Sequence, residues 1–428
     1  MTFRSSTLAW LALAPLALAG AAAAHGSDTV SAAELRSMPE HHDSRRDSIQ
    51  LGVRPFFLVA GMDDSRLKQR LQKCENGPFR RSDFSIAHRG APLQFPEHTR
   101  ESYEAGARQG AGIVECDVTF TKDGELVCRH AECDLHTTTN IVAVPELNAK
   151  CSVPWNGAGS APKCCTSDLT LDEFKSLKGK MDASNPAATT AEGFLGGTAD
   201  FRTDLYNSRG TLLTLRESIA LNERLGVKHT PELKEGDAQR IMTVFGGQEN
   251  YAQRMIDAYK QAGVDPKDVY PQSFNKNDVL YWIKREPRFG RQAVYLDDID
   301  PSVSPPIPRI SLEELRQLKR AGVQIIAPPI PALLEVDAND RIVPSQYAKD
   351  IKSTGFDIIT WSFERADLRN GGAGAGFYYY FDPTSRALKK DSDMYQALDT
   401  LAQQVKIRGI FSDWPATVTY YANCMGLD

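Results

Sequence analysis

Beyond its first two dozen residues the chain has no apolar run long enough to cross a bilayer, which excludes a polytopic helical membrane protein. It has no cationic excess: 50 Lys and Arg stand against 55 Asp and Glu, so no polycationic surface for nucleic acid is expected. None of its eight cysteines form a C-x2-C pair, the usual spacing of a structural zinc site. There is no internal repeat, and low complexity is confined to the Gly/Ala stretch 371–376. That stretch runs into the aromatic segment 377–381 rather than into a helix start, so the dinucleotide fingerprint fails. It reads as a rim loop whose aromatic rings either cover a substrate or simply pack. What remains is an ordinary globular composition, 41% apolar and 25% charged over 428 residues, with ample material for a large core.

The N-terminus carries one early cation, Arg4, an apolar run over 8–18, and Ala22-Ala23-Ala24 before His25. This order predicts a cleavable secretory signal over residues 1–24 and an exported protein, periplasmic or extracellular, with no stable membrane span after cleavage. Only Arg4 is lost with that segment, so the mature charge becomes about −6. All eight cysteines (Cys74, Cys116, Cys128, Cys133, Cys151, Cys164, Cys165 and Cys424) lie in the mature part. An even count in an exported chain predicts disulfides. The close group from Cys128 to Cys165 is expected to staple a loop region, and Cys74 with Cys424 can join the chain ends; spacing leaves the pairing open.

Residues 25–83 read as a polar N-terminal extension with one short helical pattern at Leu67, Leu71 and Cys74. From residue 84 onward, β-type runs alternate with amphipathic stretches. The predicted strands are 84–91, 112–120, 228–233, 269–274, 292–296, 323–327, 356–363 and 409–412. Predicted helices include 99–109, 213–225, 251–262, 312–321 and 394–405, several ending in Gly, as at Gly226, Gly263 and Gly322. Eight strands alternating with helices predict an α/β fold, a TIM (β/α)8 barrel over 84–428, with a doubly wound open sheet as the alternative. Residues 131–210, rich in Gly, Ser, Pro and Asn, form a long insertion after the second strand, on the face where barrel active sites form.

Chemistry-bearing residues gather at the strand ends. The first strand ends in His88-Arg89-Gly90, followed by Pro96-Glu97-His98-Thr99. On the second strand, alternation places Glu115 and Asp117 on one face and Cys116 on the other. Two carboxylates so spaced are a natural hard-cation pair. The turn Lys122-Asp123-Gly124 starts a hairpin that delivers His130 to the same rim. The third strand ends in Glu232-Leu233-Lys234, so Glu232 and Lys234 also share a face. Taken singly, each element has an ordinary structural explanation; their recurrence at one end of successive strands points to a shared site. Trp361 and Trp414, also near strand ends, are candidates for an apolar pocket wall or for core packing.

The ordered string H-R-G, P-E-x-T, E-x-D, D-G-x-x-V-x-x-H, E-x-K resembles the glycerophosphodiester phosphodiesterase family. The resemblance continues through Gln272-Ser273-Phe274, Thr360-Trp361 and Gly409-Ile410-Phe411-Ser412-Asp413-Trp414-Pro415, and covers nearly everything from Phe84 to about Ala422. It implies one divalent cation held by Glu115, Asp117 and Glu232, with Ca2+ favoured over Mg2+. It also implies acid and base roles for His88 and His130, phosphate contacts from Arg89 and Lys234, and a further acidic position at Glu97, near metal or substrate. Many relatives carry Asn where this chain has His98, which is expected to be structural more than substrate-contacting. The implied substrate is a small glycerophosphodiester, cleaved to glycerol 3-phosphate and an alcohol. A lysophospholipase D activity and, in another class, an inert binding protein on the same barrel are the alternatives. The oligomeric state is left open.

Overall fold

The computed structural model describes residues 49–299 and 308–428. The expected signal over 1–24 and the first part of the extension lie outside the described residues.

Eight parallel strands form the centre: β1 (Ser82–Ala87), β2 (Ala111–Phe120), β3 (Lys228–Leu233), β4 (Gln272–Ser273), β5 (Val294–Leu296), β6 (Ile325–Ala327), β7 (Asp357–Phe363) and β8 (Gly409–Ser412). Each pairs in parallel with its neighbours in sequence order, and β1 bonds to both β2 and β8. The sheet is therefore closed. That removes the open, doubly wound alternative and gives the (β/α)8 barrel.

Alternation along the strands divides the apolar residues into two cores. Ile86, Ile113, Val294, Leu296, Ile325, Ala327, Ile359 and Phe411 fill the barrel interior. Ala87, Val114, Cys116, Ile326 and Ile358 belong to the outer core, against the helices. Since Ile113 faces inward, the period of two turns Glu115 and Asp117 inward as well.

The helices begin and end on the signals the sequence carries. Helix Arg100–Arg108 starts at Thr99, whose side chain accepts from the Ser102 N–H; Leu215–Leu225 and Leu312–Arg320 start with capping boxes at Thr214/Glu217 and Ser311/Glu314. Gly226 and Gly263 take the left-handed conformation that closes the first of these boxed helices and Gln248–Ala262. The stretch expected as one helix over 394–405 is instead Met394–Asp399 followed by a π-helical turn, Thr400–Val405.

The N-terminal segment is more structured than its polar composition suggests. Besides Arg66–Lys73, which carries Leu67 and Leu71 of the predicted pattern and is capped by Cys74, it forms the helix Arg54–Gly61. Leu58, Val59 and Leu71 from these helices enter the outer core. The insertion builds its own apolar cluster from residues such as Leu135, Ile141, Leu169, Phe174 and Phe194. Two disulfides, Cys133–Cys165 and Cys151–Cys164, staple it. Cys128, grouped by spacing with those cysteines, pairs instead with Cys116 on β2. The strand Leu126–Cys128 lies antiparallel to β2, with Val118 opposite Cys128, so the outward Cys116 is close at hand.

Cys74 and Cys424 form the fourth bridge, 350 residues apart, tying helix Arg66–Lys73 to the C-terminal helix Pro415–Met425. Closing so long a loop restricts the unfolded chain, typically worth about 2–4 kcal/mol. The Cys74→Ser/Cys424→Ser double variant should therefore melt several degrees lower in calorimetry while keeping its other three bridges. An unchanged melting temperature would show that the terminal helices are held by packing alone.

Candidate active site

The closed barrel sets which strand ends face one another. Ala87 is in register with Ser412 of β8 and with Val114 of β2, so the next residue, His88, falls between Asp413 and Glu115. Its Nδ1 lies 2.6 Å from Asp413 Oδ1. Its Nε2 is 3.3 Å from Ser362 Oγ and 3.9 Å from Glu115 Oε2. Burial and the adjacent Arg89 guanidinium lower the imidazole pKa to about 4. A neutral ring beside an ionised Asp413 donates its Nδ1 proton to that carboxylate, which leaves the Nε2 lone pair facing the site.

β2 and β3 supply the acidic centre. Asp117 is in register with Glu232, and Glu232 with Gln272 on β4. Glu115, Asp117 and Glu232 are all buried, with oxygens within 4.8 Å of one another. Burial and the neighbouring carboxylates push Glu115 well above the usual range. Burial raises Glu232 to about 7, against the pull of Lys234. Asp117 is held well below its ordinary value, because Lys234 and His98 outweigh its burial. Glu115 accepts from the Arg89 backbone N–H and from Gln272 Nε2, both at 2.9 Å. Asp117 Oδ2 is 2.8 Å from His98 Nε2, whereas Asp117 Oδ1 is buried with no partner. Three converging carboxylates, one with a bare buried oxygen, are an all-oxygen donor set that can hold one divalent cation.

The cations are fixed around this centre. Arg89 Nη1 forks onto both oxygens of Glu97 at 3.2 and 3.0 Å. Lys234 Nζ donates to Glu232 and sits 5.7 Å from the centre of the Phe274 ring. The Arg129 N–H donates to Asp117 O at 2.8 Å, and this hairpin brings His130 to the rim, half-buried. Burial, followed by the charges of Arg89 and Lys234, lowers the His130 pKa well below normal.

These residues open onto one cavity of about 80 Å3. His88, Arg89, Glu115, His130, Glu232 and Lys234 form its polar side; Phe274, Leu296, Trp361, Tyr378 and Phe411 form the other. Three of the expected site residues are not on its wall. Asp117 contributes its buried oxygen beside the other two carboxylates. Glu97, 1% exposed, holds Arg89 and Arg365. Trp414 is partly buried against the outer core. A larger groove of about 630 Å3 involves Val264, Pro266 and Phe289, which precede β4 and β5 and so lie at the N-terminal end of the strands, away from this chemistry.

Two participants were not singled out from sequence. Asp413, one residue past β8, is a strand-end carboxylate of the kind that drew attention to Glu115, and that signal was there to use. Arg365 gave no signal. It follows β7 and donates to Asp413 Oδ2 at 2.9 Å, Glu97 Oε2 at 3.2 Å and Asp182 Oδ2 at 2.8 Å, partners scattered over the whole sequence.

Residues 88–417, the span from His88 to the helix after β8, match the glycerophosphoryl diester phosphodiesterase family. The chain belongs to this family. It is a phosphodiesterase, a hydrolase of phosphoric diesters. The phosphodiesterase is 41% identical over 248 residues to an extracellular protein of Arthroderma benhamiae, covering 58% of this chain and all of that one. It is 25% identical over 228 residues to glycerophosphodiester phosphodiesterase GDPD6 of Arabidopsis thaliana, covering 50% of this chain and 57% of the plant protein. A crystal structure of a family protein from Silicibacter pomeroyi DSS-3 superposes with a TM-score of 0.54 at 17% identity, over 82% of this chain and 96% of that one, and shares the barrel fold.

The His88–Asp413 contact is the feature of the phosphodiesterase most open to a direct test. Asp413→Asn keeps the shape but offers an amide, which removes the charge that selects the Nδ1–H tautomer. By analogy with other Asp–His pairs, kcat should fall about 100-fold or more. A variant within a few-fold of the parent would mean that Asp413 serves only Arg365.

Proposed function

We propose that the phosphodiesterase hydrolyses glycerophosphodiesters, the deacylated phospholipid headgroups, to glycerol 3-phosphate and an alcohol by histidine acid–base catalysis. One observation supports this above others: two imidazoles, His88 buried and His130 half-buried, share a cavity with two fixed cations and with Glu115 and Glu232 of the three-carboxylate cluster.

Each residue has a task suited to its chemistry. His88, with Nδ1 committed to Asp413, takes the proton of the attacking oxygen at Nε2. His130 stands on the same wall; it enters the step protonated, a form that the phosphate charge favours by offsetting Arg89 and Lys234, and passes that proton to the departing alcohol. Arg89, aligned by Glu97, and Lys234 stabilise the negative charge that grows on the phosphoryl oxygens. The attacking oxygen is either the neighbouring glycerol hydroxyl, giving a cyclic phosphate that water then opens, or water itself. Trp361 and Phe274, edge to face at 5.8 Å, form the apolar wall beside the reacting group. Glu115, Asp117 and Glu232 are the residues that hold the divalent cation, which, when bound, neutralises phosphate charge. Ca2+ is favoured over Mg2+ on the reading that the protein is exported. Four disulfides support export to the periplasm or outside the cell.

The test is glycerol 3-phosphate release from glycerophosphocholine, measured in EDTA and after adding back Ca2+ or Mg2+. Release should vanish in EDTA and return with one ion, and His88→Ala and His130→Ala should each lower kcat about 100-fold or more. Release unaffected by EDTA would overturn the cation site, and near-normal rates in either variant would overturn that histidine's role. Choline release from lysophosphatidylcholine, with none from glycerophosphocholine, would move the substrate to the acylated class.

A further inference from the structure

The carboxylate cluster has a support that the catalytic reading does not use. His98 is fully buried, at 0% exposure, and has a backbone φ of 54°. Histidine is among the few residues other than glycine that enter this left-handed region with any frequency. Its backbone N–H donates to Arg89 O at 3.0 Å, which anchors the reversed turn to the end of β1. In this arrangement the imidazole reaches β2, where Nε2 lies 2.8 Å from Asp117 Oδ2. On the other side, Nδ1 lies 2.9 Å from the Tyr103 hydroxyl, and the two rings meet edge to face at 6.2 Å.

We propose that His98, with its tautomer set by Asp117 and its ring held by Tyr103, is a positioning residue that turns Asp117 so that a single oxygen is left for the cation. The inference rests on the reading of Glu115, Asp117 and Glu232 as a cation site.

Donor and acceptor chemistry dictates the arrangement. An ionised carboxylate only accepts, so Nε2 carries the hydrogen toward Asp117. Nδ1 of that tautomer is an acceptor, and the Tyr103 O–H donates to it. Without the Tyr103 hydroxyl the ring loses its second anchor and is freer to tilt away from Asp117 Oδ2. With both bonds made, Asp117 Oδ2 is engaged and Oδ1 stays bare, buried and close to the other two carboxylates. Arg89 Nε is 3.7 Å from Oδ2 and Lys234 is nearby, so a carboxylate free to rotate has cations to turn toward instead. Groups that orient metal ligands from behind typically contribute 10- to 100-fold in metal affinity.

The experiment titrates Ca2+ and Mg2+ into the metal-free full chain by calorimetry, and measures thermal melting of the same samples in EDTA. His98→Ala should bind the preferred ion about 10- to 100-fold more weakly, and Tyr103→Phe should move in the same direction by less. His98→Gln places an amide Nε2 donor where the imidazole Nε2 was. It should recover most of the affinity, even though both position-98 variants lose the ring and melt lower in EDTA. Parental affinity in both His98→Ala and Tyr103→Phe would overturn the proposal, as would His98→Gln binding no tighter than His98→Ala. If His98→Ala does not fold, Tyr103→Phe, which keeps the imidazole, decides the matter. A parent chain that binds neither ion would overturn the underlying cation site itself, a result distinct from equal binding by parent and variants.

Discussion

Three carboxylates buried side by side inside a barrel repel one another and lose their hydration. Neither penalty is small where the surroundings screen charge poorly. Around Glu115, Asp117 and Glu232 the structure answers with four fixed donors: the Arg89 backbone N–H, Gln272, Lys234 and His98. Of the oxygens without a donor, Oδ1 of Asp117 is fully buried. An arrangement that commits this many groups to one acidic centre and leaves a bare oxygen in it suits a site completed by a cation. The positions of Arg89, His98 and Lys234 follow from that centre, and His88 is set by what Glu115 and Asp413 leave open on either side of β1.

A second layer of charge holds the first in place. Arg365 joins Asp413, which orients His88, to Glu97, which orients Arg89, and to Asp182 of the insertion. Asp182 is also bound by Arg202, whose guanidinium reaches the Pro92 carbonyl after β1. Glu364, the residue before Arg365, is buried and paired with Arg54 from the N-terminal helix Arg54–Gly61. The loop after β7 is thus held from both of the segments outside the regular barrel. In this sense the insertion and the N-terminal helix support the candidate site, although neither places a side chain on the cavity wall.

Much of the fold was legible because its signals are local. Inward and outward alternation in β2 follows from the pleat alone, and the helix starts at Thr99, Thr214 and Ser311 follow from short polar side chains meeting free backbone N–H groups within a few residues. The helix Arg54–Gly61 was not legible. Its apolar face is short, and it is stabilised by packing against Pro415–Met425 at the far end of the chain. The pairing of Cys128 with Cys116 escaped a reading by spacing, because it depends on how the hairpin folds back along β2.

By itself the sequence determined the eight-strand alternation, the strand ends that carry chemistry, and the residue types of the acidic centre and its two histidines. These are periodic or motif-bound properties, readable within a few tens of residues. Only the tertiary structure decided that β1 closes on β8, and with it that His88 meets Asp413. It also decided that His98 turns behind Asp117, that Glu97 serves two arginines rather than the cavity, and that Trp361 lines the pocket while Trp414 packs against the outer core. Each of those outcomes depends on strand register and on contacts between distant segments, and neither leaves a trace in local spacing.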